Sequence, residues 1–184
     1  MKNLSYHEAR LNKTRHELWG FSDYWNLSEL IIMPDSVDNA LHKCRLSYNG
    51  EIEVIKWEPY TARTIRKIQR VYDDNIDYRY KYEARDELNT LFAQRKDADE
   101  ILIIKNGLVT DSLYCNVAFY NGNAWCTPNS PLLPGTQRAC LLEAGVIREA
   151  EISENDLGKY SLVKLFNAMV GWENAAQLNI ECIV

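Results

Sequence analysis

Residues 101–104 read Ile-Leu-Ile-Ile, a continuous apolar run. A strand with no polar face is buried on both sides, so the fold must cover this one from above and below. Asn106-Gly107 turns the run into Leu108-Val109, Val117 to Tyr120 supplies the next strand, and Asn121-Gly122-Asn123 turns that into Ala124-Trp125-Cys126. The meander carries Asp111 and Asn116, at the kind of place where a rigid scaffold presents polar groups to a ligand.

A second stretch, Ile76 to Arg85, changes its period part-way. Ile76, Tyr78, Tyr80 and Tyr82 alternate with Asp77, Arg79 and Lys81, the pattern of a strand with one apolar face. From Glu83 onward Ala84, Leu88, Leu91 and Phe92 recur at helical spacing. Lys81 is therefore expected where a strand hands over to a helix, on the face it shares with Arg79. A neighbouring cation and partial burial would favour the uncharged amine that a lysine nucleophile needs; the alternative is a solvated surface lysine.

Ser5 to Leu18 reads as a helix closed by Trp19-Gly20, and residues 26–42 as a helical region interrupted near Pro34. Arg45 to Ile55 reads as a hairpin, with Asn49-Gly50 supplying the positive φ angles of a tight primed turn. Gly135-Thr136-Gln137-Arg138 opens a helix of Ala139 to Ala144 that Gly145 ends. A glycine before a helix start sets backbone N–H groups at the positive end of the dipole, a natural phosphate seat, although many helices begin this way. Ser153-x-x-Asp156 caps a short helix running towards Lys159, Val163 to Phe166 reads as a strand, and Leu178 to Val184 as a last one. The polar run around Pro59 is the best boundary, giving a small lobe of residues 1–60 and a larger, catalytic lobe of 61–184.

Charge and composition narrow the function classes. A net charge of −5 without a basic cluster gives no electrostatic reason to expect nucleic acid. No apolar run approaches a membrane span, and the first residues lack the apolar core of a signal peptide. The five cysteines (44, 115, 126, 140 and 182) form no Cys-x-x-Cys and lie apart from the three histidines. That disfavours a zinc site and a disulfide framework, and reduced, mostly buried thiols suit a cytoplasmic protein.

Taken in order, Lys81-x-x-x-Arg85, Ala98-Asp99-Glu100, Val109-Thr110-Asp111 with Asn116, Trp125-x-Thr127-Pro128 and Leu133-x-Gly135-x-x-Arg138 resemble the class IV aminotransferases. These are enzymes of fold type IV that use pyridoxal phosphate (PLP). The likeness runs from about Tyr6 to about Met169; its specificity lies in the ordered set rather than in any one piece. It implies an α+β fold with a small N-terminal α/β lobe and a larger C-terminal lobe built on a mainly antiparallel sheet or pseudo-barrel. Family members are usually homodimers.

The resemblance also implies roles. Lys81 matches the lysine that holds the cofactor aldehyde and then serves as general acid and base. His7-x-x-Arg10-Leu11 matches a segment whose arginine contacts the cofactor phosphate, with Thr136 and Gln137 completing that seat. Asp111 occupies the place of the acid beside the ring nitrogen, where the family usually has glutamate, and Gln137 stands where threonine is frequent. Arg85 matches an arginine of lyase-like members that would meet a substrate carboxylate; the alternative is an exposed residue of the first helical turn. Asn167-Ala168-Met169 resembles the last pocket-lining segment. The family's first strand would precede His7, so the small lobe is expected to lack it. Length and the Lys-x-x-x-Arg spacing look most like the family's lyase members, and that resemblance implies pyruvate elimination from 4-amino-4-deoxychorismate, a small amino-carboxylate, leaving p-aminobenzoate. The runner-up is transamination of D- or branched-chain amino acids, and a third reading is a family member without catalysis.

Overall fold

A computed structural model describes residues 1–184, which divide into two units, Met1–Ala62 and Arg63–Val184. The first unit holds helix α1 (Leu4–Trp19), a single turn α2 (Leu27–Leu30), and an antiparallel pair of strands, β1 (His42–Tyr48) and β2 (Ile52–Pro59). At its centre lies Arg15, 2% exposed, with its guanidinium 3.7 Å from the Trp25 ring centroid and its Nη2 on both Asp23 carboxylate oxygens at 3.0 Å. Helix α1 ends as the sequence predicts, with Gly20 at φ 73° and its N–H donating back to the His16 carbonyl.

The second unit is layered. Strands β3 (Ile68–Tyr72), β4 (Glu100–Lys105) and β5 (Leu108–Val109) form one sheet, in which β4 runs parallel to β3 and antiparallel to β5. Helix α3 (Asp86–Ala93) lies between β3 and β4 in the chain. A second sheet collects β6 (Asn116–Tyr120), β7 (Trp125–Pro128), β8 (Arg148–Ala150), β9 (Leu162–Phe166) and β10 (Ala176–Asn179), in the order β10-β9-β6-β7-β8. Its pairs are antiparallel except β7 with β8. Helix α4 (Thr136–Glu143) follows β7. The apolar run is β4, and its alternate residues face opposite ways. Leu102 and Ile104 pack with Val117, Phe119, Val163 and Leu165 of the second sheet. Ile101 and Ile103 pack with Leu88 and Leu91 of α3. The far side of the second sheet meets α4 through Ala118, Phe166 and Leu141. Each buried branched side chain is worth about 1.5–3 kcal/mol, so β4 anchors both cores at once. The sheets stay open, and no barrel closes.

Asn106 and Gly107 take φ 52° and 74°, the left-handed pair of a primed turn, and Gly122 takes φ 89° between β6 and β7. At the other end of β3, the Val184 N–H donates to the Ile68 carbonyl and the Arg70 N–H to the Val184 carbonyl, each at 2.9 Å, beside a parallel bridge between Ile68 and Ile183.

Other readings are corrected. Residues 76–82 are not a strand: β3 ends at Tyr72, and the Asp73 carboxylate accepts the N–H groups of Asn75 and Ile76 at 2.8 and 3.1 Å. Asp77 does the same for Arg79 at 3.1 Å, so side chains take the backbone donors that a ladder would need. In the 26–42 region only Leu27–Leu30 is helical, because Ile31 is already extended at φ −98° and Pro34 disfavours helix in the residue before it. The β1–β2 hairpin forms, yet neither Asn49 nor Gly50 has a positive φ. The Asn49 side chain accepts the Glu51 N–H at 3.1 Å instead, and a Cβ on Gly50 would lie 3.1 Å from the Phe21 ring. The last strand stops at Asn179, whose side chain accepts the Glu181 N–H and starts a 3-10 turn over Ile180–Cys182. Ser153 caps its short helix as expected, although that helix, Glu154–Lys159, is also 3-10.

Candidate active site

The turn after β5 presents Asp111, which is buried. Its backbone is pinned to β4: the Ile103 N–H donates to the Asp111 carbonyl at 2.9 Å, and the Thr110 N–H to the Ile103 carbonyl at 3.0 Å. Its side chain is held from two directions. Asn116 Nδ2 donates to Asp111 Oδ1 at 2.7 Å and to the Leu133 carbonyl at 2.9 Å, while the Leu133 N–H donates to Asp111 Oδ2 at 3.0 Å. Burial pushes the Asp111 carboxyl up to about 6. The Leu133 N–H, the Asn116 amide and the more distant Arg138 pull it down only in part.

Asn116 also fixes the approach to α4. A Cβ added to Gly135, the residue that opens the helix, would meet Asn116 Oδ1 at 2.0 Å. Glycine is required here by close approach, since its φ of −70° is ordinary. Thr136 is buried and Gln137 half-buried in the first turn of α4, so the structure brings the proposed phosphate seat and the proposed ring acid onto one scaffold. Arg138, buried one residue on, is spent on the Pro128 carbonyl at 2.8 Å and on Glu149 at 2.6 Å.

Lys81 is exposed, in the irregular segment ahead of α3 rather than at a strand end. Rings and one guanidinium shape that segment. Tyr78 Oη donates to the Tyr82 carbonyl at 2.9 Å, and the Tyr78 and Tyr80 rings stand edge-on to Tyr82 at 6.0 and 5.8 Å. Arg85 closes the segment, with Nη1 on Tyr78 Oη at 3.1 Å and Nη2 on the Leu113 carbonyl at 2.6 Å. Its guanidinium also lies 4.6 Å from the Tyr114 ring centroid. Arg85 is thus neither an exposed first-turn residue nor an idle cation. It stands at the N-cap position of α3, where its side chain makes no capping bond, and ties the Lys81 segment to the turn that carries Asp111.

Two further groups meet at that turn. Glu100 is buried, with Oε1 accepting the N–H groups of Ile101 and Leu113 at 2.8 and 3.2 Å. Burial pushes its carboxyl up. The Cys115 thiol is pushed up to about 12 by burial, so it stays protonated and is no nucleophile. Asn167 Nδ2 reaches the Tyr114 carbonyl and Cys115 Sγ, each at 3.3 Å, which brings the 167–169 segment to the same place. A cleft of about 300 Å³ opens between Tyr78, Arg79, Thr110 and Leu132; neither Lys81 nor Asp111 lines it. Arg10 belongs to the first unit, half-buried on α1. Sequence reasoning gave no role to Glu100 or Tyr114, although Ala98-Asp99-Glu100 stood in the ordered set and an acid leading into a buried strand is itself a signal.

The family model for class IV amino-transferases matches residues 55–178. An uncharacterised protein of Haemophilus influenzae is 42% identical over 173 residues, 93% of this chain and 92% of its own length. A Haemophilus somnus 129pt protein, provisionally named a 4-amino-4-deoxychorismate lyase, has a similar structure with a TM-score of 0.85 at 37% identity, over 92% of this chain and 90% of its own. A Mesorhizobium loti protein, provisionally named an amino-acid aminotransferase, reaches 0.77 at 26% identity over 99% and 92%. With the family match spanning most of the second unit and the ordered motifs in place, the chain belongs to the class IV aminotransferases, an enzyme family that depends on PLP.

Proposed function

We propose that this chain binds PLP and eliminates pyruvate from 4-amino-4-deoxychorismate, leaving p-aminobenzoate. The observation that carries the reading is Asp111. A buried carboxylate whose hydrogen-bond donors are all uncharged, with Arg138 acting on it only from a distance, has no cation in contact, and a protonated pyridine nitrogen would supply one. The rest of the chain fits the same group. The start of α4 offers the positive end of a helix to a phosphate, with Thr136 and Gln137 in its first turn. Lys81 would hold the aldehyde. When bound, PLP supplies an electron sink for the pair left behind when a proton leaves the substrate.

Lys81 then moves that proton: it takes it from the carbon bearing the amino group, and the pyruvate unit departs from the neighbouring carbon. Asp111 keeps the ring nitrogen protonated, and Asn116 keeps Asp111 in place. Arg85 positions the Lys81 segment through Tyr78 and the Leu113 carbonyl, and on this reading it also meets the substrate carboxylate. The lyase reading is supported by the name given to the H. somnus protein and by that of a Schizosaccharomyces pombe protein, 36% identical over 87 residues and likewise provisionally called an aminodeoxychorismate lyase. We also propose a cytoplasmic homodimer, for which light scattering should return twice the mass of one chain. All five cysteines are free, and no helix is long and apolar enough to cross a membrane.

The test is direct. Purified protein with PLP is given 4-amino-4-deoxychorismate, and separately a panel of amino acids with a 2-oxo acid. Release of p-aminobenzoate and pyruvate is expected in the first. Consumption of an amino acid alone would make the enzyme an aminotransferase. Borohydride treatment followed by peptide mapping should leave a pyridoxyl group on Lys81, and a label on another lysine would refute the assignment.

A further inference from the structure

An open cleft of about 520 Å³ on the second unit is lined by Arg63, Thr64, Phe92, Arg95, Ala98 and Asp99. None of these residues has a part in the chemistry proposed above. Two guanidiniums define the cleft. Arg95 lies 4.3 Å and Arg63 5.8 Å from the Phe92 ring centroid, and Arg63 also lies 5.2 Å from the Tyr114 ring. Stacking engages the face of a guanidinium and leaves its rim of N–H donors for an acceptor. Arg95 spends one donor, Nη1, on the Phe92 carbonyl at 3.2 Å.

Asp97 and Asp99 are held by other partners, and the buried Glu100 carboxyl feels the charge of Arg63. Asp99 Oδ2 accepts the backbone N–H groups of Arg66 and Lys67 at 2.8 and 3.2 Å. Asp97 is paired with Lys67 at 2.7 Å. The cleft therefore holds two arginines within cation–π reach of rings and outside the salt bridges of Asp97, on a chain whose net charge is −5. Two guanidiniums against the single Asp99 carboxylate leave the lining locally positive.

We propose that the Arg63–Arg95 cleft is a second anion site, which takes the carboxylate or phosphate group of a small molecule against Phe92. A guanidinium matches either oxyanion with two parallel hydrogen bonds, and the ring holds both forks in place before the ligand arrives. The site uses no residue of the α4 phosphate seat, so it stands whether or not PLP binds there.

The experiment is a titration of uniformly ¹⁵N-labelled full-length protein with inorganic phosphate and, separately, with benzoate. The arginine Nε–Hε signals are followed, with Arg63→Gln and Arg95→Gln identifying the two that matter. Both signals should shift saturably with at least one probe, in the millimolar range. Arg63→Gln should weaken the response at Arg95 at least about tenfold, as loss of a charge-assisted hydrogen bond implies. A response to phosphate alone assigns the site to phosphate-bearing ligands, and one to benzoate alone to carboxylates. If neither signal saturates with either probe, or if Arg95 responds equally well without Arg63, the proposal is overturned. Should a glutamine variant fail to fold, Arg63→Lys and Arg95→Lys identify the two signals, and the wild-type titration then decides.

Discussion

Asp111 carries a consequence that can be measured without substrate. Its carboxyl ionises near 3.8 in an unfolded chain and near 6 in the fold, where burial disfavours the charge. Between those values the folded state keeps a proton that the unfolded state has lost, so stability falls as pH rises from about 4 to about 6 and stays low above that. A gap of about two units corresponds to about 3 kcal/mol. Thermal unfolding of the cofactor-free protein should show that loss, Asp111→Asn should flatten it, and an unchanged slope in the variant would place the titrating group elsewhere. The same variant should still bind PLP but turn over at least about tenfold more slowly, the effect of one lost charged hydrogen bond. Arg85 supports a second prediction at this scale. Arg85→Ala removes the tie to the Leu113 carbonyl, so the amides of residues 79–83 should exchange with solvent at least about tenfold faster while those of β4 do not change. The two residues also differ in how far the sequence revealed them. Asp111 was legible because it follows Val-Thr within an ordered set. The partners of Arg85 were not, because a backbone carbonyl 28 residues away leaves no mark on side-chain identity.

Among the elements, the start of α4 bears the tightest constraint. Gly135→Ala would drive a methyl group into Asn116 Oδ1, 2.0 Å from the ideal Cβ position, and the amide that must yield is the one holding Asp111 and Leu133 together. A loss of about 1–3 kcal/mol in stability is expected, together with weaker PLP retention; denaturant titration and cofactor binding of the variant measure both. Normal stability with normal retention would show that the Asn116 link is dispensable. Elements with a local cause were readable: the continuous apolar run of β4, the left-handed pair at Asn106-Gly107, and the glycines after α1 and α4. Those decided by competition were misread. Residues 76–82 alternate like a strand, yet Asp73 and Asp77 take the backbone donors first. Asn49-Gly50 has the composition of a primed turn, yet the Asn49 side chain forms the turn itself. Strand β3 escaped notice because Gln69 and Arg70 interrupt its apolar residues, and its pairing is parallel and distant in sequence.

On the scale of the whole molecule, the hydrophobic clusters lie in residues 63–184, while the first unit buries Leu11 and Leu27 and sets the Arg15 cation among rings. Hydrogen exchange under native conditions should therefore find the slowest amides in β4, β6 and β9, with those of the β1–β2 hairpin exchanging sooner; equal protection would mean that both units open together. The pairing of β3 with Ile183 and Val184 has a further effect, on the timing of synthesis. One side of β3 finds its partner when β4 emerges, but the other waits until the chain has been made as far as Val184. At about 5–20 residues per second, that edge stays open for roughly 5–20 s during translation. An unpaired strand edge is a template for any extended chain nearby, so a nascent copy is most open to mispairing with its neighbours on the same messenger during that interval.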